Sequence, residues 1–196
     1  MARVADALDK PVTVELPHSD VARAAAFCLS AAEGGSLHLQ HLRDWPQDFD
    51  HATRDRFIAG ALMPAAIVEQ AQRFRTWYRE QAAWLFSEHD ILIAPATICT
   101  APGIGEAHVR IEGRTVPVRA NLGLFTQPVS FVGLPVVCAP VAGLVSMPLG
   151  IQIIAAPWRE DLALRFAAAL ERAGVLASHE YREPAEWAPK ALEAAL

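Results

Sequence analysis

The stretch LGIQIIAAPWREDLALRFAAALERAG, residues 149–174, changes its hydrophobic period once. Residues 149–157 are a nearly continuous apolar run closed by Pro157, the pattern of a strand covered on both faces. After it, Leu162, Phe166 and Leu170 recur at helical spacing. Glu160 and Asp161 suit the positive end of that helix, Arg172 its negative end, and Gly174 its C-terminal cap. A buried strand feeding an amphipathic helix predicts an α/β domain.

The upstream sequence extends this pattern. PVVCAPV (135–141) and ILIAP (91–95) read as two more apolar strands, with Gly143 and Pro148 punctuating the link to residue 149. HVRIEGRTVPV (108–118) reads as a hairpin turning at Glu112-Gly113. Alternation of Val12, Val14 and Leu16 predicts a strand over 11–16, ended by Pro17. Ser19 or Asp20 then caps a helix running to about Leu42. A second helical region starts near Thr53, and Pro64 should break it, kink it or open a new helix. From there to Ser87, Ile67, Ala71, Phe74, Tyr78, Ala82 and Leu85 form one stripe. Glu69, Arg73, Arg75, Arg79 and Glu80 read as its solvated side. Residues 175–196 read as a polar tail with a short helix after Pro189.

Composition narrows the function. The 196 residues are enough for one domain, and at 53% hydrophobic they can fill a sizeable core. A net charge of −5, from 17 basic and 22 acidic residues, leaves no basic face, so nucleic acid is not an expected partner. Cys28, Cys99 and Cys138 are odd in number and far apart, as reduced thiols of a cytoplasmic protein would be. Apolar runs end well short of a membrane span, and the N-terminus shows no signal peptide, so no membrane partner is expected.

Local motifs for chemistry are sparse. Ser36 follows Gly34-Gly35, yet helical spacing continues on both sides, whereas a nucleophile elbow needs a strand ending in a tight turn. The glycines are better read as a close approach to a neighbouring helix. His38 and His41 lack the spacing and the glutamate of a helical zinc motif, and read as hydrogen-bonding residues. Arg54 and Arg56 could pair with Asp50 or Asp55, or grip a substrate carboxylate through a guanidinium fork. GLFTQPVSFVGLP (123–135) is loop-like and apolar, with Thr126, Gln127 and Ser130 as its only polar side chains. It reads equally as the lining of a binding site or as a crossover between strands.

These segments together resemble the C-terminal part of the amidase signature family. The carriers are Thr126, Pro128, Gly133 and Pro135, then Pro148, Gly150 and Gln152, then the helix from Glu160 to Glu171. HDILIAPAT (89–97) and AAEGG (31–35) add further matches. Ser130 stands where the family's usual Asn is. LFTQPVSFVGLPVV, AEGGSLHL and DFDHATRDRFIAGALMPAAIVEQAQRFR resemble most the AtzE-type amidohydrolases, related to 1-carboxybiuret hydrolase.

The resemblance implies an α/β/α sandwich around a mixed β-sheet, of which residues 1–174 would be the C-terminal portion. It implies hydrolysis of the C–N bond of a small, carboxylated amide without metal or cofactor. Arg56, four residues before Gly60, matches an arginine that holds a substrate carboxylate. Thr126, Gln127 and Ser130 complete the expected substrate-binding set. Gly123 stands where the A subunits of related glutamine-using amidotransferases carry an Asp for the substrate's amino group, which argues against glutamine.

The family's Ser–cis-Ser–Lys triad and oxyanion loop find no match. The two lysines, Lys10 and Lys190, stand outside any buried strand end, and no Gly-Gly-Ser-Ser-Gly-Gly run occurs. No catalytic residue is therefore assigned in this chain, which is expected to be inactive alone and to work with a missing N-terminal half or as a homo-oligomer. The alternatives are a non-enzymatic half-amidase serving as a subunit or binding module, and the A subunit of an amidotransferase.

Overall fold

The computed structural model describes residues 1–111, 113–143 and 147–177. From the N-terminus these form α1 (Ala2–Ala5), α2 (Ser19–Leu37), α3 (Leu39–Asp44), α4 (His51–Ala61) and α5 (Ala65–Glu88). Strands β1 (Ile91–Pro95), β2 (His108–Ile111) and β3 (Arg114–Pro117) follow, then α6 (Val118–Asn121) and α7 (Gln127–Val132). Strands β4 (Val136–Pro140) and β5 (Gly150–Ala155) lead to α8 (Glu160–Arg172).

Strand β5 is the centre of a three-stranded sheet in the order β1-β5-β4. Ile93 and Val137 both pair with Ile153, one from each side. Its side chains alternate between the two faces of the sheet, as strand geometry requires. Ile151, Ile153 and Ala155 pack with Ala163 and Leu170 of α8 and with Val4 of α1. Gln152 and Ile154 are also buried, which explains why the strand reads as one apolar run. On the far side, α2, α5 and α7 share a second core built from Ala22, Ala25, Leu29, Ala71, Tyr78, Ala82, Phe131 and Val132. The layering is α/β/α. Both pairings in the described sheet are antiparallel, so the parallel part of a mixed sheet does not lie among these strands.

Helix α8 ends as its sequence predicts. Gly174 takes a left-handed φ of 69°. Its N–H donates to the Glu171 carbonyl and that of Val175 to the Leu170 carbonyl, each at 2.9 Å, which closes the helix with a Schellman motif. Val175 and Leu176 are buried beyond it. The hairpin at 108–118 also forms, with Gly113 at a φ of 79°.

Four expectations are corrected. Residues 11–16 are not a strand: they have no ladder partner among the described residues, and Val12 is 72% exposed. The helix from Ser19 stops at Leu37, where His38 leaves helical geometry and stacks on Phe57, before α3 begins. The cap before α2 is His18 in a left-handed conformation, while the Ser19 hydroxyl donates back to the Leu16 carbonyl. The apolar segment at 123–135 contains α7, with Pro128 in its first turn and left-handed Gly133 closing it. Pro64 separates α4 from α5, one of the outcomes expected of it. The stripe on α5 is buried at Ala71, Tyr78, Ala82 and Leu85, whereas Ile67 is exposed. The helix expected after Pro189 lies outside the described residues.

Candidate active site

Helices α2 and α4 touch backbone to backbone. A Cβ on Gly60 would stand 1.9 Å from the Ala31 carbonyl oxygen, and one on Gly35 would stand 2.3 Å from the Phe57 carbonyl oxygen. Gly34-Gly35 is therefore a packing device, and Ser36 is an exposed helical residue. The close approach brings Arg56 across to α2. Its guanidinium carbon stands 4.4 Å from the centre of the Phe27 ring, and its Nη2 donates to Ser30 Oγ. Among the described residues, its Nε is buried without a hydrogen-bond partner. Arg54, by contrast, pairs with Asp55 at 3.3 Å on the surface.

Ser30 lies on the wall of a pocket of about 250 Å³ between α2, α5 and α7. Gln127, Ser130 and Phe131 line it from α7, Glu33 and Ala26 from α2, and Arg75 from α5. Two expected site residues, Gln127 and Ser130, thus meet in one pocket. Arg56 reaches it through Ser30. Thr126 precedes α7 and does not line the pocket; its carbonyl accepts from the Ser130 N–H.

The site loop is anchored from the sheet. Gln152, 2% exposed on β5, donates through Nε2 to the Pro95 carbonyl at 2.9 Å and the Phe125 carbonyl at 3.1 Å. One amide therefore ties the end of β1 and the approach to α7 to the central strand. The bond carried by Arg75 corrects a further expectation. It does not belong to the solvated side of α5: its Nε donates to the Phe131 carbonyl at 2.6 Å, near the negative end of α7. Glu69, Arg73, Arg79 and Glu80 are exposed, as expected of that face. Helical spacing separates inner from outer positions but does not reveal a carbonyl waiting above one of them, so Arg75 had no sequence signal.

Other polar groups have structural roles. His41 Nε2 stands 3.1 Å from Asp48 Oδ2. Asp50 caps α4 by accepting from Ala52 and Thr53, and pairs with Arg119 at 3.1 Å. The bond from Arg119, aided by that from Thr53, lowers the Asp50 pKa. Among the described residues, no group of three His, Cys, Asp or Glu side chains could hold a metal ion. No described helix is long and apolar enough to cross a membrane.

Residues 9–164 match the family model described as Amidase. The chain belongs to the amidase family. It is 50% identical over 161 residues to AtzE, the 1-carboxybiuret hydrolase subunit of Pseudomonas sp. (strain ADP), covering 81% of this chain and 35% of that protein. It is 30% identical to the A subunit of glutamyl-tRNA(Gln) amidotransferase from Sphingopyxis alaskensis, covering 92% of this chain and 41% of that protein. An inhibitor-bound structure of a vestigial complex, linked to the origins of an s-triazine catabolic enzyme, aligns with a TM-score of 0.84 at 47% identity. That alignment covers 89% of this chain and 39% of the other. A bacterial aryl acylamidase of the amidase signature family aligns with a TM-score of 0.67 at 25% identity, covering 88% of this chain and 38% of the other. The chain thus spans well under half the length of these amidases.

Proposed function

We propose that this chain is the substrate-binding C-terminal part of an amidase that cleaves the C–N bond of a small carboxylated amide of the 1-carboxybiuret type. The observation that carries the reading is the Arg56 guanidinium, one hydrogen bond from the pocket, with a buried Nε–H that has no acceptor among the described residues. Buried donors are normally satisfied. In this reading a substrate carboxylate takes the place of Ser30 Oγ on the guanidinium and so reaches the buried Nε–H, and a guanidinium fork is suited to it. The identity to AtzE supports the substrate class.

The chemistry of the reading is acyl transfer. A serine hydroxyl attacks the amide carbonyl, a second serine relays its proton, and a neutral lysine is the base. This chain's residues bind and orient the amide. In this reading the triad is supplied from outside this chain: Lys10 lies in the exposed N-terminal segment, and Lys190 falls outside the described residues. A chimera with this chain in place of the matched segment of the Pseudomonas relative tests the assignment. It should hydrolyse carboxylated amides, and Arg56→Ala should raise KM for them about tenfold or more while sparing uncharged amides. Turnover by the 196-residue chain alone that survives both Ser36→Ala and Ser130→Ala would overturn the reading.

A further inference from the structure

Gln127 is the one amide side chain on the pocket wall, and an amide can present either an acceptor or a donor. Its neighbours decide which. Arg23, one turn before Phe27 on α2, donates from Nε to Gln127 Oε1 at 3.2 Å. A guanidinium has no acceptor, so only the oxygen end of the amide can face it. Arg23 is itself held, because its Nη2 donates to the Ala120 carbonyl at 2.7 Å. Arg23 does not line the pocket, whereas Gln127 does. The second end of the amide, Nε2, makes no hydrogen bond among the described residues.

Gly123 supplies an independent constraint. A Cβ there would stand 3.0 Å from Gln127 Cγ, 3.1 Å from its Cδ and 3.5 Å from its Nε2. The Gln127 side chain therefore lies in space that any side chain at 123 would invade. Arg23 fixes the oxygen end of the amide, and the bare backbone at Gly123 leaves room for its stem and its NH2 group.

We infer that Arg23 is a positioning residue: it locks the Gln127 amide with its NH2 group as the end offered to the pocket. This corner of the site then selects a hydrogen-bond acceptor, a carbonyl or carboxylate oxygen, over an amino group. The ligand class rests on the proposed amide-binding role of the pocket, while the orientation of Gln127 does not.

Side-chain amide resonances in a 1H–15N correlation spectrum of the full chain test both parts, with malonamate as the probe. The Gln127 pair is assigned by its loss in Gln127→Glu. It should move in Arg23→Met and stay close to its wild-type position in Arg23→Lys. Gly123→Ala, which crowds the same side chain without touching Arg23, should move it as well, and it serves if Arg23→Met does not fold. Malonamate should shift the wild-type pair, and Arg23→Met should weaken binding about tenfold. Gln127→Glu keeps a partner for Arg23 but removes the donors, so the folded variant should lose malonamate binding. A Gln127 pair indifferent to Arg23→Met and Gly123→Ala would overturn the inference, as would wild-type affinity in folded Gln127→Glu. A pair that moves in Arg23→Met but ignores malonamate would instead sink the amide-binding reading and leave the positioning role standing.

Discussion

On one face of β5, Ile151, Ile153 and Ala155 meet α8 through apolar side chains. On the other Gln152 binds two carbonyls, and in the helical layer beyond it Arg75 and Arg23 bind two more while Gly60 lies against the backbone of Ala31. The first face is held by contacts that depend on volume and hydrophobicity. The second has an apolar core of its own and adds contacts that depend on direction and on the absence of a Cβ. Apolar cores accept exchange of similar volumes, whereas hydrogen-bonded junctions fail when one partner goes. The layer that carries the pocket is thus the layer whose geometry is specified group by group.

Adding or removing a single carbon on each side should expose this difference most sharply. Gly60→Ala places a methyl group 1.9 Å from the Ala31 carbonyl oxygen, where only separation of α2 from α4 can relieve it. The expected loss is about 3 kcal/mol or more, with Arg56 drawn away from Ser30. Ile153→Val, which removes one methylene from the α8 face, should cost about 1 kcal/mol. Urea unfolding of the two variants checks the ratio, and equal losses would break the distinction.

Gln152→Leu keeps the volume on β5 but leaves the carbonyls of Pro95 and Phe125 without their donor. The expected cost is about 2 kcal/mol. Amide exchange should rise through residues 122–127, which the Phe125 bond tethers, more than in α8. Uniform loss of protection in both layers would show that Gln152 is only a packing residue.

The same contrast explains what was legible beforehand. Strand β5, its neighbours β1 and β4, and helix α8 with its Gly174 cap announce themselves because local period and local caps define them. Residues 11–16 alternate like a strand, but strand formation needs a partner ladder, which alternation does not report. Helix α7 was hidden by the same residues that delimit it, since Pro128 and Gly133 read as loop signals until their places at its two ends are known. Gln127 and Ser130 were visible as rare polar groups in an apolar segment. Arg23 and Arg75 were not, because their roles depend on carbonyls at Ala120 and Phe131, 97 and 56 residues away. Arg56 lay between: its spacing to Gly60 matched a family pattern, but its pairing with Phe27 and Ser30 needed the glycine contact between helices.

The smallest effect concerns a polar group placed inside the apolar part of the second core. Tyr78 is fully buried there among Ala22, Phe74 and Phe131, and its hydroxyl lies 2.9 Å from Ser19 Oγ. Tyr78→Phe should cost about 1 kcal/mol, because Ser19 keeps its bond to the Leu16 carbonyl and loses only the phenol. Burial raises the Tyr78 pKa, and the Ser19 contact offsets part of that rise. A phenol with a raised folded pKa holds its proton in the native state at a pH where the unfolded chain has released it. Stability must therefore fall as pH climbs past about 10, where free tyrosine ionises. Tyr78→Phe removes that contribution, so its deficit should shrink as the pH passes that range. A deficit that stays constant across the alkaline limb would mean that the phenol titrates as freely in the folded protein as in the unfolded one.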